Sequence, residues 1–400
     1  MDKIRITFLT TNFLFYFVHW MVLAYLPIVF KFYGLTDAQI GFIIGLYSIS
    51  SMTLMLPMGF FSDYFSPKKI VIAGAFLLAL YFLSLLFVRN FLGLIPVALL
   101  GGIGSAALAT VLYALYLKII EKGKRGKQVA FFQLGSYLGY GLGPLTGGLL
   151  LSAVQPPSLF KMALIISSVL MLITFLLQDS TPITFSFREY RKDLREPATM
   201  FLIVGIFVMA THFGVEQTSF SLLMKEDIKL TPGQIGLIFS GIGLWMACLV
   251  PLAGYLRDRR QKIFTFLWVG LLISGVFQFV TGLVSSPGAL LFVRILHTTG
   301  DTLAILEVGV LTALFFPEHR LGGNSGLLFG VRTLAIFAGS FIAGLLNMKL
   351  GYGFSFMANG VFVFIFALSI LIFCKIRPIA TDFLQTSASL QISNPSGGRQ

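Results

Sequence analysis

The chain has 400 residues, of which 56% are hydrophobic and 11% are charged, and its formal net charge is +13. A soluble domain carries roughly 25% charged residues and could not bury so much apolar surface, so the composition excludes an ordinary soluble protein. It indicates an all-α membrane protein, because a helix satisfies its own backbone hydrogen bonds in lipid and about 20 apolar residues span the bilayer. Cys248 and Cys374 lie far apart in apolar stretches and are interpreted as packing residues.

Breaks in hydrophobicity divide the sequence into twelve predicted transmembrane helices, which we expect to form two pseudo-symmetric six-helix bundles. The first apolar run, Phe8 to Phe32, is too long for the core of a signal peptide and lacks a small-residue cleavage site, so it is interpreted as a retained helix. The predicted spans lie near 7–33, 39–62, 69–88, 91–117, 128–153, 159–177, 198–224, 232–256, 263–284, 288–316, 324–348 and 352–374.

The predicted domains follow from these spans. Residues 1–177 form the N-terminal half and residues 198–375 form the C-terminal half. The stretch 178–197 is too charged to enter lipid and predicts a cytoplasmic linker between the halves. Residues 376–400 are rich in Ser, Gln and Gly and predict a disordered cytoplasmic tail.

The distribution of Lys and Arg predicts the orientation in the membrane. With the N-terminus in the cytoplasm, the cytoplasmic segments hold 21 of the 29 Lys and Arg residues and the outer segments hold six. Positive charge is retained on the cytoplasmic side, so we expect both termini in the cytoplasm and a multi-pass protein of the bacterial inner (plasma) membrane. Anionic lipid headgroups are the expected partners of these basic residues, so the positive net charge does not indicate nucleic-acid binding.

An internal repeat relates the two halves. The segment LTDAQIG at residues 35–41 is matched by LTPGQIG at residues 230–236, an offset of 195 residues. Matches in one register at separate places indicate that the halves are duplicates, and internal duplication with a site at the interface is typical of secondary transporters. The same offset relates Gly59 to Gly254 and Asp63 to Asp258.

The loop after the second predicted span carries Gly59 and Asp63, and the second copy carries Gly254, Asp258 and Arg259. This pattern resembles the signature loop of the major facilitator superfamily, although the first copy departs from the signature after its Asp. A Gly at a helix end lets another helix approach closely. An Asp there can interact favourably with the positive N-terminus of a neighbouring helix. The resemblance therefore implies a latch that holds the halves together on the cytoplasmic side. The alternative is that both aspartates are ordinary solvated residues at helix ends.

Span five contains the run GYGLGPLTGG, which includes Gly143 and Pro144. The run is similar to a motif that marks many proton-coupled antiporters and drug exporters of this superfamily, and so slightly favours export. Small residues let helices pack backbone to backbone, and Pro adds a bend, so a tightly packed helix of any function is the alternative. Span four lacks the Arg and Gln of the exporter pattern, which weakens an assignment as a drug exporter.

Ionisable residues inside the predicted spans are concentrated in the second half, and such residues are costly in lipid unless they are functional or paired. Arg294, His297 and Asp301 share one stripe of span ten, because their spacing is i, i+3, i+7. Three carboxylates face two arginines in these spans, so at least one carboxylate is available to carry a proton. A static ion-pair network that braces the helices is the alternative. The candidate substrate and proton-coupling residues are His19, His212, Glu216, Arg294, His297, Asp301, Glu307 and Arg332.

The sequence thus predicts a secondary active transporter that moves a small organic solute by alternating access and is coupled to protons, with export slightly favoured. The alternatives are an uncoupled facilitator and a non-transporting membrane receptor with the same fold. An enzyme is not predicted, since the chain contains no His-Glu-x-x-His, Gly-x-Ser-x-Gly or Gly-x-x-x-x-Gly-Lys run. No cofactor or metal is expected. The expected partners are a small-molecule substrate, protons and membrane lipids, and we expect the chain to act as a monomer.

The bias of Lys and Arg generates a test of the orientation. In a variant without the native cysteines, Gln155→Cys is expected to react with a membrane-impermeant maleimide added to intact cells. Tyr190→Cys is expected to react only after the cells are opened, because it belongs to a basic cytoplasmic segment. Labelling of position 190 from outside, without labelling of position 155, contradicts the orientation.

Overall fold

The computed structural model describes residues 3–121, 124–180, 192–259 and 264–376, and none of these residues lies in a strand. Within these ranges twelve helical stretches match the predicted spans, which confirms the all-α architecture of two six-helix bundles. The helices are α1 (Lys3–Leu23, continued by Leu26–Phe32), α2 (Asp37–Tyr64), α3 (Pro67–Phe87), α4 (Phe91–Ala106, continued by Ala107–Val111 and Leu112–Leu117), α5 (Arg125–Ala153), α6 (Pro157–Thr174), α7 (Pro197–Leu222, continued by Leu223–Asp227), α8 (Pro232–Arg259), α9 (Thr265–Thr281), α10 (Pro287–Phe315), α11 (Leu321–Leu350) and α12 (Tyr352–Ile376).

Ten of the helical stretches in the described residues are long and apolar enough to cross a membrane. The other two are α9, which has 17 residues, and α5, whose seven glycines lower its hydropathy. Helix α5 packs between α1 and α8, so much of its surface contacts protein instead of lipid. The chain is therefore a multi-pass membrane protein in which the least apolar long helix lies inside the bundle.

The repeated motif found in the sequence encodes the same helix start in both halves. At the start of α2, Gln39 N donates to Thr36 Oγ1 at 3.3 Å and Thr36 N donates to Gln39 Oε1 at 3.0 Å. At the start of α8, the same two contacts join Thr231 and Gln234, at 3.4 and 2.9 Å. This reciprocal cap satisfies backbone donors that a helix N-terminus leaves open. The Thr and Gln of each copy are therefore retained for helix capping.

The two halves contact each other chiefly through two helix pairs, α5 with α8 and α2 with α11. Exchanging the halves converts one pair into the other, as the duplicated sequence requires. Glycines permit the close approach: a Cβ on Gly243 of α8 would lie 2.4 Å from Gly141 Cα of α5. A Cβ on Gly143 would lie 2.4 Å from Phe17 O of α1. The glycines of α5 thus let its backbone touch two neighbouring helices.

Pro144 takes part in a contact that joins three helices. The Tyr25 hydroxyl lies 2.7 Å from Pro144 O of α5 and 3.2 Å from Pro232 O at the start of α8. Tyr25 is fully buried. The hydroxyl therefore links α1 to α5 and the first half to the second.

Ion pairs join residues near the ends of several helices at one end of the bundle. Arg5 near the start of α1 forms an ion pair of 2.6 Å with Glu121 after α4. Asp193 before α7 forms one of 2.8 Å with Arg320 before α11. We call this end, which also carries the loop after α2, the N-terminal face.

The predicted linker and tail fall largely outside the described residues, at 181–191 and 377–400. Among the described residues, the first half ends with α6 and the second begins with α7.

The glycine contacts generate a test of the interface between halves. Gly243→Ala is expected to lower the thermal midpoint of the purified protein, because the added methyl meets the α5 backbone. Gly344→Ala is the matched control, since a Cβ there has nothing within 4 Å. Equal midpoints for the two variants contradict the predicted packing role.

Candidate substrate and proton site

A cavity of about 200 Å³ lies between the two halves. A single water molecule needs roughly 10–15 Å³ by the same measure, so the cavity has room for a small organic molecule. Among the described residues that line it, the charged ones are Glu216, Asp301 and Arg332, all from the second half. The aromatic side chains that line it include Tyr16, Trp20, Tyr113, Tyr137, Tyr140 and Phe239.

Arg294 is completely buried and ties three helices together. Its guanidinium forms an ion pair with Glu216 of α7 and donates to Gln278 Oε1 of α9 at 3.0 Å. It also lies 4.8 Å from the ring centroid of Phe220. A buried arginine is tolerated only with such partners. Arg294 and Glu216 therefore balance each other's charge.

His297 lies between two carboxylates. Its Nδ1 is 2.9 Å from Ser274 O, and because a carbonyl only accepts, Nδ1 carries a hydrogen. Its Nε2 is 3.0 Å from Glu216 Oε1 and 3.1 Å from Asp301 Oδ2. An ionised carboxylate also only accepts. The hydrogen bond to Glu216 therefore needs a proton on Nε2 or on the carboxyl, and Asp301 lies close enough to be an alternative site for it.

His212 completes the group on the other side of Asp301. Its Nε2 lies 3.3 Å from Asp301 Oδ1, without the alignment of a hydrogen bond. The His212 and His297 rings are 5.2 Å apart and perpendicular. Both histidines are completely buried, and Asp301 is 2% exposed. Asp301 therefore has two histidines as its ionisable neighbours, whereas Glu216 has an arginine as well as His297.

The same four side chains could in principle hold a metal ion. His212, Glu216, His297 and Asp301 each offer one ligand atom, and these atoms lie within 4.8 Å of one another. However, Arg294 and His297 both contact Glu216 Oε1. The permanent positive charge of Arg294 at this oxygen opposes a divalent cation by Coulomb repulsion. The arrangement fits a proton better than a metal.

Arg332 of α11 lines the cavity apart from this group. Its guanidinium lies 5.2 Å from the ring centroid of Phe213 and within electrostatic range of Tyr16, His19 and Tyr137. Among the described residues no carboxylate pairs with it. The geometry thus pairs Arg294, and not Arg332, with a carboxylate of the cluster.

Glu307 and His19 lie outside this arrangement. Glu307 forms an ion pair with Arg257 of α8 and accepts from Phe264 N at 2.9 Å, so it joins helix ends at the N-terminal face. His19 belongs to the first half, where its Nδ1 lies 3.2 Å from the Tyr47 hydroxyl. The other six candidates contact or line the cavity region.

Asp63 binds the start of a helix in the opposite half. It is 1% exposed, and its two oxygens accept from Gly322 N at 3.2 Å and Gly323 N at 2.7 Å, at the start of α11. Lys118 Nζ lies 2.7 Å from its Oδ1. Negative charge at a helix N-terminus is favourable because of the helix dipole and the open backbone donors. Gly59 permits the approach, because a Cβ there would lie 2.4 Å from Gly322 O.

Asp258 makes the symmetric contact at the start of α5. It accepts from Gly126 N at 2.8 Å and from Lys127 N at 3.0 Å. A Cβ on Gly254 would lie 2.7 Å from Gly126 O. Arg259 instead lies over the Tyr255 ring, 4.3 Å from its centroid. Each aspartate of the repeat thus caps a helix of the other half.

Four contacting residues escaped the sequence analysis. Lys118 and Arg257 were counted as loop cations, yet both are paired with buried carboxylates. Ser274 and Gln278 of α9 orient His297 and Arg294. Gln278 is the amide side chain of the largely apolar helix α9, and that signal could have identified it.

Comparisons with known proteins agree with this architecture. A family model described as Major Facilitator Superfamily matches residues 8–223 and 201–389. An uncharacterized MFS-type transporter of Methanocaldococcus jannaschii is 24% identical over 345 residues, which cover 80% of this chain and 86% of that protein. The MFS-type transporter SLC18B1 of Mus musculus is 24% identical, covering 85% and 79%. The quinolone resistance protein NorA of Staphylococcus aureus is 24% identical, covering 64% and 67%.

Solved structures share the fold at low sequence identity. The human organic anion transporter MFSD10 (TETRAN) has a TM-score of 0.77 and 16% identity, covering 92% of this chain and 99% of that chain. A POT family transporter in complex with a thioalcohol conjugated peptide has a TM-score of 0.77 and 14% identity, covering 93% and 96%.

Two symmetric helical bundles around a cavity with buried charges, together with these matches, define a multi-pass membrane transporter that takes a small molecule. The chain belongs to the Major Facilitator Superfamily. This is a family of transporters and not of enzymes.

The symmetric aspartates generate a test at the N-terminal face. Asp63→Asn and Asp258→Asn are each expected to weaken its closure, because a helix-terminal carboxylate contributes about 1–2 kcal/mol in a buried setting. Spin labels at the exposed positions 65 and 318 of an otherwise cysteine-free protein report the separation of the halves there. We expect the distance distribution to gain a longer component.

Asp227→Asn is the control, since Asp227 is exposed at the end of α7. The larger change is expected for Asp63→Asn, which also deprives Lys118 of its carboxylate. Unchanged distances in both variants would remove the argument for a latch.

Proposed function

We propose that the protein is a secondary active transporter that moves a small organic solute by alternating access and couples this movement to protons. The observation that supports the coupling is that His297 Nε2 lies 3.0 Å from Glu216 Oε1 and 3.1 Å from Asp301 Oδ2 beside the cavity. A buried group of this kind is expected to exchange its proton whenever the cavity admits water. Asp301 is the favoured carrier, because Glu216 is committed to Arg294.

The cluster belongs to α7, α9 and α10, all in the second half. A rocking motion of the halves therefore leaves the Glu216–Arg294 pair intact and changes the access of water to Asp301. Coupling then rests on the hydration of Asp301 and does not require the Glu216–Arg294 pair to break. Solute and proton would then reach the same cavity from one side at a time.

Asp63 and Asp258 are proposed to stabilise the state that is closed at the N-terminal face. Both bind backbone donors of the opposite half, so opening that face must break both sets of contacts. Gly59, Gly254, Gly143 and Pro144 keep the moving helices close enough for these contacts.

The orientation, location and direction of transport are part of the proposal. We assign the N-terminal face to the cytoplasm of a bacterial cell, with both termini inside and anionic lipids as neighbours, and the basic segments support this assignment. The halves are assigned to 1–177 and 198–375, and the monomer contains the whole cavity. Export is slightly favoured by the run around Gly143 and by the resemblance to NorA, whose name refers to quinolone resistance.

The second candidate is an uncoupled facilitator or a receptor with the same fold. The buried Arg294–Glu216 pair within one half supports it, because a static brace has the same geometry. The two proposals differ in whether a pH gradient drives accumulation.

Asp301→Asn is expected to abolish accumulation driven by a pH gradient in proteoliposomes while retaining exchange of substrate without a gradient. The reason is that an amide cannot carry the coupled proton. The substrate is first identified from a panel of quinolones and organic anions. Glu226→Gln is the control, because Glu226 lies outside the cavity and pairs with Lys225.

Glu216→Gln is compared in the same assay together with its thermal midpoint. Loss of one partner of a buried ion pair costs about 3–5 kcal/mol, so we expect this variant to be less stable as well as less active. If both variants accumulate substrate as the parent does, neither carboxylate carries the proton and the static brace is the correct interpretation.

A further inference from the structure

The charge of Arg332 is not neutralised by the described part of the cavity. The two carboxylates that line the cavity are engaged elsewhere, Glu216 with Arg294 and Asp301 with the two histidines. Within the described ranges, Arg332 has no hydrogen bond and no ion pair, and its contact is the face of the Phe213 ring. A cation inside a membrane protein is costly without a counter-charge. A negative group that enters the cavity would therefore be attracted to this guanidinium.

The surroundings of Arg332 hold it between the two halves. Its side chain is half-buried on α11, and it lies within electrostatic range of Tyr16 on α1 and Tyr137 on α5. The planar guanidinium offers a fork of donors that matches a carboxylate better than it matches a neutral group. A ligand bound here would touch both halves.

Tyr137 supplies an independent observation. It lines the cavity and is 6% exposed, and its hydroxyl has no hydrogen-bond partner among the described residues. A buried hydroxyl without a partner is unfavourable and calls for an explanation. Tyr137 lies within electrostatic range of both Asp301 and Arg332, and an anion on the Arg332 side would accept a hydrogen bond from the hydroxyl and pair with the guanidinium.

The rest of the cavity is suited to an apolar body. Trp20 and Tyr140 meet edge to face at 4.8 Å, and Tyr140 meets Phe239 edge to face at 5.7 Å. All three line the cavity. Aromatic side chains bury large apolar areas on contact with a ligand.

We propose that the cavity binds amphipathic organic anions, with the anionic group on Arg332 and the Tyr137 hydroxyl and the apolar body against Trp20, Tyr140 and Phe239. That this anion is the transported solute rests on the function proposed above; its binding does not.

The test compares three ligands of nearly equal shape: 4-phenylbutyrate, 4-phenylbutanamide and 4-phenylbutylamine. Binding to the full chain in phosphatidylcholine nanodiscs is measured by calorimetry. The carboxylate is expected to bind about 10- to 100-fold more tightly than the amide, since a charge-assisted pair replaces a neutral hydrogen bond. The amine is expected to bind more weakly than the amide. Equal binding of all three, or preference for the amine, overturns the proposal.

Arg332→Gln is expected to remove the preference for the carboxylate and to leave binding of the amide unchanged. Because Arg332 forms no ion pair with a described residue, its removal should not lower the thermal midpoint. Tyr137→Phe tests the same site without a change of charge, and it is expected to weaken binding of the carboxylate ligand several-fold. Arg89→Gln is the control, since Arg89 lies over Tyr33 outside the cavity. A preference that survives Arg332→Gln contradicts the assignment.

A repeat in nanodiscs that contain phosphatidylglycerol separates a soluble anion from a lipid headgroup. Unchanged affinity supports the soluble anion, and competition by the lipid overturns it. Transport of the carboxylate into proteoliposomes then separates the two proposals. Carboxylate binding that depends on Arg332, without accumulation driven by a pH gradient, would contradict proton coupling and leave the anion site standing. Transport of a cation or a neutral solute that is driven by a pH gradient and is insensitive to Arg332→Gln would support proton coupling and contradict the anion site.

Discussion

Arg294 of the second half is completely buried, so its positive charge must be balanced by other groups of the protein. Glu216 does so across the space between α10 and α7, and Gln278 adds a contact from α9. Breaking such a pair costs several kcal/mol, because the remaining charge stays buried. This pair holds α7 and α10 at the separation that places His297 between Glu216 and Asp301. The proposed proton site therefore depends on the ion pair.

The duplicated halves share their scaffold but differ in their chemistry. Both use a Thr–Gln cap, a close glycine contact and an aspartate that binds the other half. In the second half the interior carries a cluster of charges. The interior of the first half instead has Asn12, hydrogen-bonded to Phe132 O and the Ser136 hydroxyl, and His19 beside Tyr47. The symmetric features thus lie at the helix ends and at the contacts between the halves, whereas the charges lie on one wall of the cavity.

The two arginines of the second half have different environments, and this difference organises the cavity. Arg294 is buried and paired with the Glu216 carboxylate, whereas Arg332 lines the cavity and lies over the Phe213 ring. A charge that is already paired contributes to structure, and a charge that faces a cavity is available to a ligand. The proposed proton site and the proposed anion site therefore lie on the same wall without competing for one partner.

The sequence by itself determined the number of helices, the duplication and the residues at the helix ends. Lipid requires long apolar helices, and a repeated cap such as Thr231 with Gln234 is a local signal, readable from neighbours along the chain. The stripe of Arg294, His297 and Asp301 was readable for the same reason, because helical spacing fixes which side chains share a face.

Which side chains meet was decided by the tertiary structure alone. The sequence grouped Glu307 with the central charges, but its partner Arg257 comes from the end of another helix. Nothing in the spacing along α10 shows that α9 presents Ser274 O to His297 and so fixes which nitrogen carries the hydrogen. Such contacts join residues on separate helices, and their distances depend on how the helices pack. Helical periodicity carries no information about that packing.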